Sequence, residues 1–125
     1  MSNLIFFLLL FSLAAANLGS YQNFTFSCES IYSFGEEHRN ISAVCRRDAV
    51  VSHLDLNDCI GNVQGQLVCS NQNYLNTCWD CNFTQLAIHE PAWLECNCDT
   101  NDGIDMRVAK NLNDCVGNDD GQLRC

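Results

Sequence analysis

Residues 56–69, LNDCIGNVQGQLVC, return as residues 112–125, LNDCVGNDDGQLRC, with ten of fourteen positions identical. A chain duplicated in this way folds as two similar units that bury their cores against each other. Two copies are too few for a solenoid, so the expectation is one pseudo-symmetric domain presenting two similar surfaces. Gly65 and Gly121 fall where a tight turn between two strands requires positive φ, so each block reads as a hairpin. With the turn centred between Gln64 and Gly65, Cys59 and Cys69 fall almost opposite one another, as do Cys115 and Cys125. The separation predicts a bridge across each hairpin. Ahead of each hairpin, Leu-Asn-Asp reads as a polar turn whose side chains bond nearby backbone N–H groups.

The chain begins with an apolar run over residues 4–13 and then Ala14-Ala15-Ala16. This is the pattern of a secretory signal, residues 1–16, cleaved after Ala16. The run is too short to cross a bilayer, which takes about 20 residues, and no later segment is apolar enough to span. Residues 17–125 have the size of one domain, with repeat one at about 21–70 and repeat two at about 71–125. All ten cysteines lie there, and an even number behind a secretion signal reads as a disulfide framework. Cys28 and Cys45 are the two left in copy one and should pair. In copy two, Cys78 with Cys98 and Cys81 with Cys96 fit a single antiparallel register with one bulge, which the crossed pairing cannot do. The secretion signal argues against zinc at Cys-x-x-Cys and Cys-x-Cys. No window sustains a helical period. Short pieces such as Asn23-Phe-Thr-Phe and residues 104–108 alternate between turn signals, so the fold class is all-β with short helical turns.

A formal charge of −9 with only six Lys and Arg excludes a phosphate-binding surface, so neither nucleic acid nor anionic membrane is expected as a partner. Asn23-Phe-Thr25, Asn40-Ile-Ser42 and Asn82-Phe-Thr84 are sequons, exposed to glycosylation in a eukaryotic secretory pathway. Asn23 also stands four residues from Ser27. The acidic stretch from Asp99 to Asp105 hints at calcium, but its glycine falls one position early for an EF-hand loop and no Glu closes it. His38, His53 and His89 sit in no motif that would activate a nucleophile and read as solvated loop residues. Glu36-Glu37 and Asp119-Asp120 read as solvated turn charge and not a glycosidase pair. Trp79 and Trp93 are expected in the small core beside the extra cystine. No cofactor and no catalysis are expected.

Leu54-Asp-Leu-Asn57 with Ile60-Gly-Asn62-x-x-Gly65-x-Leu67, its second copy, and Asn76-Thr77-Cys78 with Thr84-Gln85-Leu86-Ala87 resemble the cyanovirin-N homology family of small lectins. The resemblance runs through residues 17–125. It implies a cyanovirin-N-like, two-repeat domain whose copies exchange a hairpin, and binding of high-mannose, α1,2-linked mannose oligosaccharides at one site per half. By position, the stronger site is formed by Asn62, Gln64, Asn73, Asn76, Thr77, Asp99, Thr100 and Asn101. Its mate is formed by Ser27, Arg46, Asp48, Asn118, Asp120 and Gly121. Asn, Gln, Thr and carboxylates supply the fixed donors and acceptors that sugar hydroxyls need. The sequence departs from the family in having Asn101 for an arginine and Asn76 for a glutamate at the first site. At the second, Arg46 stands for an acidic residue and Phe26 for a glutamine. The first site is therefore expected to be the stronger. The rival reading is a non-lectin secreted module, a cysteine-rich structural scaffold or a protein-binding effector, that kept the fold and lost the sites. A monomer or a domain-swapped dimer fits the hinge at residues 70–75.

Overall fold

The computed structural model describes residues 21–46 and 48–125. The expected signal segment, residues 1–16, and Arg47 lie outside the described residues. Ten strands carry the chain: β1 (Glu29–Phe34), β2 (Asn40–Val44), β3 (Val51–Asp55), β4 (Ile60–Val63), β5 (Gln66–Cys69), β6 (Cys78–Gln85), β7 (Ala92–Asp99), β8 (Asp105–Asn111), β9 (Gly117–Asp119) and β10 (Gln122–Arg124). One 3₁₀ turn precedes β1 and four more stand between strands among the described residues. The strands form two antiparallel three-stranded sheets, β1-β2-β3 and β6-β7-β8, and two hairpins, β4-β5 and β9-β10. The all-β class holds, and so does the hairpin exchange. The first hairpin lies against β8 of the second sheet, while the second lies against β3 of the first.

The expected hairpin turns are present. Gln64 and Gly65 have φ of 52° and 86°, and Asp120 and Gly121 have 49° and 94°. Positive φ at both central residues is the turn whose twist matches paired strands. The cysteines beside them do not pair as expected. Cys59 is bonded to Cys125 and Cys69 to Cys115, so each hairpin is tied to the other and not across itself. The cause is register. Ile60, not Cys59, faces Cys69, and a one-residue offset in a strand puts two side chains on opposite faces. The remaining bridges are Cys28–Cys45, Cys78–Cys98 and Cys81–Cys96. Cys78 faces Cys98, and a bulge between Trp79 and Asn82 brings Cys81 to Cys96.

Along β7 burial alternates strictly, with Ala92, Leu94, Cys96 and Cys98 inside. The same period turns Trp93 outward, and Trp79 next to buried Cys78 follows, 41% and 40% exposed. The tryptophans therefore do not fill the core. That core comprises Phe24, Ile41, Leu56, Ile60, Tyr74, Leu94, Leu112 and Val116 with the cystines. Asn23-Phe-Thr-Phe is likewise no strand. Asn23 is left-handed and Phe24–Phe26 is a 3₁₀ turn that buries Phe24 and Thr25.

The Leu-Asn-Asp turns dock the two units onto each other. Asp55 and Asn111 accept the N–H of Asn57 and Asn113 at 2.9 and 3.0 Å, so the local cap comes from the residue ahead of Leu. The asparagines themselves reach far along the chain. Asn57 Oδ1 accepts the Leu75 N–H at 3.0 Å, and Asn113 binds Thr25 through its N–H at 3.1 Å and its Oγ1 at 2.6 Å. Nor is Glu37 merely solvated. Its carboxylate accepts the Cys81 N–H, and its carbonyl accepts the buried Tyr74 hydroxyl at 3.0 Å. Burial, with the Asp55 and Glu37 carboxylates next, pushes the Tyr74 phenol well above its ordinary range. Arg39 pairs with Asp55 beside it, and that hydrogen bond and charge raise the guanidinium further.

Candidate carbohydrate site

Each hairpin tip is fastened by one asparagine. Asn62 Oδ1 accepts the Gly65 N–H at 2.8 Å, closing the turn, while its Nδ2 donates to Thr77 Oγ1 and to the Asp99 carbonyl, both at 2.9 Å. Asn118 repeats the arrangement. Its Oδ1 accepts the Gly121 N–H at 2.8 Å, and its Nδ2 donates to Ser27 Oγ at 3.1 Å and the Cys45 carbonyl at 3.0 Å. Both amides are spent on the fold. Their positions in the repeated block make them conspicuous in the sequence, but their role is to hold the tip in place and not to reach outward.

Close approach of backbone explains the glycine just ahead of each. A Cβ on Gly61 would run into the Asn71 side chain and the Gln72 carbonyl, and one on Gly117 into the Gln22 backbone. Sequence reasoning passed over both. Their retention in the two copies was the available signal.

Beside the first tip lies a cleft of about 290 Å³ lined by Gln64, Thr100, Asn101, Asp102, Ile104 and Met106. Gln64 is placed there by the turn, Met106 by β8, and the others by the β7–β8 connection. That connection is a tight turn in which the Thr100 N–H and Oγ1 both donate to the Ile104 carbonyl, at 3.0 and 2.6 Å, while Thr100 Oγ1 accepts the Ile104 N–H at 3.2 Å. The acidic stretch is thus a hairpin link, with Gly103 at φ 74°. No group of His, Cys, Asp or Glu suited to a metal occurs among the described residues. The Gln64, Asn101 and Asp102 side chains line the cleft and take no partner among the described residues, so their polar atoms are left unspent. Ile104 and Met106, 64% and 41% exposed, give it an apolar floor. These two were not expected, because apolar residues after a turn look like ordinary strand.

Not all of the expected first-site residues converge. Thr77 contributes a hydroxyl already taken by Asn62, and Asp99 a carbonyl. Asn76 is exposed at the end of its 3₁₀ turn. Asn73 faces elsewhere. It lines a different cavity with Asp58, Ser70, Asn71, Gln72 and the Cys59–Cys125 bridge, and its Oδ1 lies 3.5 Å from the Asn57 amide.

Both tip glycines are approached by a side chain, Gly65 by the Thr100 methyl and the Met106 sulfur, but at the second tip the side chain is a charged one and comes closer. The Arg46 side chain is laid over Gly121 so closely that a Cβ there would collide with its stem. Its guanidinium donates to the Asp120 carbonyl at 3.1 Å and pairs with Asp48 at 3.8 Å and Asp120 at 3.9 Å. Asp48 also accepts the Val50 N–H at 3.4 Å. The expected Ser27, Arg46, Asp48, Asn118, Asp120 and Gly121 are therefore brought together, but largely onto one another. What remains open is about 190 Å³ between Ser27, Glu29, Val44, Cys45 and Arg46.

The histidines have packing partners. His38 shares a hydrogen bond with Ser33 at 2.8 Å, His89 donates to the Thr25 carbonyl at 3.1 Å, and His53, in strand β3 rather than a loop, meets Phe34 edge-on.

The model of the CVNH domain matches residues 24–124. Comparison with curated protein sequences returns no match. Among solved structures, CVNH of Gibberella zeae is similar at 26% identity and TM-score 0.73, covering 82% of this chain and 95% of its own. A complex of microvirin with mannobiose is similar at 33% identity and TM-score 0.66, covering 82% and 97%. CVNH of T. borchii is similar at 30% identity and TM-score 0.61, covering 85% and 98%.

Proposed function

The chain belongs to the CVNH family, and from that premise we propose that it is a secreted lectin that takes mannose-rich oligosaccharides in the cleft at the first hairpin tip. The observation that carries this reading is the contrast between the tips. At the first, the Gln64, Asn101 and Asp102 side chains stand unspent above an Ile104–Met106 floor. At the second, the Arg46 stem presses on the corresponding glycine more closely than Thr100 approaches Gly65, and its guanidinium is spent on Asp48 and Asp120. Adjacent sugar hydroxyls are recognised by several converging donors and acceptors, since each neutral bond contributes only about 0.5–1.5 kcal/mol. The apolar floor suits the C–H face of a pyranose, and microvirin, a similar protein, has been solved with mannobiose. Asp99, Asp102 and Asp105 place negative charge around this end of the β7–β8 hairpin, so neutral glycans are favoured over sulfated or sialylated ones.

The test is a glycan array probed with enzymatically deglycosylated, folded protein, followed by calorimetry with an α1,2-linked dimannoside. One site per chain is expected. Gln64→Ala combined with Asn101→Ala should weaken it about tenfold or more. An array without signal would remove the lectin reading. A second reading, an extracellular protein-binding module, is favoured by the loop between β6 and β7, where Leu86 and Ile88 are 96% and 64% exposed and stand unused by the sugar cleft.

A further inference from the structure

The outer face of the first sheet carries an aromatic cluster that the sugar clefts do not use. The Tyr32 and Phe34 rings are 5.9 Å apart, and Phe34 meets the His53 imidazole at 5.6 Å, edge to face. Tyr32, Ser42 and His53 form one cross-strand row, and Phe34, Asn40 and Asp55 another. Tyr32 and Phe34 remain 53% and 40% exposed, while Ser42 is sealed in the sheet with no partner for its hydroxyl among the described residues. Asn40 and Ser42 are the two ends of a sequon. Phe34 faces Asn40 directly across the hairpin, within the reach of a cross-strand pair. The Asn40 amide takes no partner among the described residues.

We propose that Asn40 carries an N-linked glycan whose first N-acetylglucosamine rests against the Phe34 ring. This rests on the secretory reading. The C–H face of the sugar covers aromatic surface that is otherwise exposed to water, and the ring in turn holds the glycan down on the sheet. The other two sequons lack this setting. Asn82 faces Glu95 and lies with its amide within 3.2 Å of Arg107, and left-handed Asn23 faces Gly117 and donates its N–H to the Asn113 carbonyl, with no aromatic ring opposite it. The hydroxyl residues also set the timing. Thr84 is exposed, but Asn82 and Thr84 are both paired to β7 within strand β6, so the folded sheet withholds this sequon. Ser42 is buried, and Thr25 is buried and bonded to Asn113, so Asn40 and Asn23 can be modified only before their segments fold. Ser42 has then served its purpose once the strand closes, which accounts for a hydroxyl left without a partner.

The experiment is expression of the full chain in a eukaryotic secretory host, with glycopeptide mapping and thermal melts. Occupied Asn40 is expected. Asn40→Gln should lower Tm by about 4 °C, and by markedly less when Phe34→Ala is already present. A secreted protein with Asn40 bare, or a Tm loss equal in both backgrounds, overturns the proposal and leaves the secretory reading intact. A chain retained in the cytosol with all three sequons bare overturns the secretory reading and the proposal with it.

Discussion

Arg46 and Tyr74 show how much single side chains decide here. Arg46 is about half exposed, and its pairs with Asp48 and Asp120 are long, so they add little to stability. Its effect is occupancy, because its stem fills the space over Gly121. Arg46→Gly should therefore leave Tm within about 2 °C and raise the number of dimannoside sites seen by calorimetry from one towards two. An unchanged stoichiometry would mean that Arg46 is not what closes the second tip. Tyr74 acts through ionisation. Its phenol is held above the ordinary value of about 10, so the folded state keeps its proton where the unfolded chain has lost it. Stability is then fully present below about pH 10 and falls as pH rises beyond it. Tyr74→Phe forfeits the bond to Glu37, at about 1 kcal/mol near neutrality, and should flatten the alkaline decline in urea melts run from pH 8 to 11.

The hairpin is the element on which sequence and structure differ most instructively. Its turn was legible, because Gln64-Gly65 and Asp120-Gly121 have few other conformations open to them in a two-residue loop. The β6–β7 register was legible for a related reason: two bridges constrain one another. The bridges at Cys59 and Cys69 were misassigned even though the same turn decides the parity: with Gln64 and Gly65 at its centre, Ile60 and not Cys59 sits opposite Cys69, and the partners the two cysteines find instead lie in the other repeat's hairpin. The site was half legible for the same kind of reason. Asn62 and Asn118 stand out by repetition, yet which atoms they spend on Thr77, Asp99, Ser27 and Cys45 depends on segments brought in from the other repeat. The actual pairing carries an energetic consequence. Cys59–Cys125 spans 66 residues in sequence, but with Cys69–Cys115 in place the loop it closes is about 20 residues, for which the chain-entropy account gives about 3 kcal/mol. The Cys59→Ser, Cys125→Ser double variant should lose about that much in guanidinium melts, and a loss below about 1 kcal/mol would speak against the pairing.

For the whole molecule, the two reciprocal bridges fix which halves belong together. Each half is built from one sheet and the other repeat's hairpin, so a swap at residues 70–75 would turn Cys59–Cys125 and Cys69–Cys115 into links between chains. Oxidation then records the state in which it finds the protein. Refolding from the reduced state at high concentration should give a dimer that survives non-reducing gel electrophoresis and separates only with thiol, whereas oxidised monomer should stay monomeric on concentration. A dimer that falls apart without reductant would exclude this topology. The same lacing makes continuity of the backbone between the repeats dispensable. A protease that cuts the exposed Ser70–Asn73 stretch severs the peptide but no bridge within either repeat. The product is a two-chain protein of unchanged mass apart from one water, still joined through both hairpins and still holding the cleft between Gln64 on one chain and Asn101 on the other.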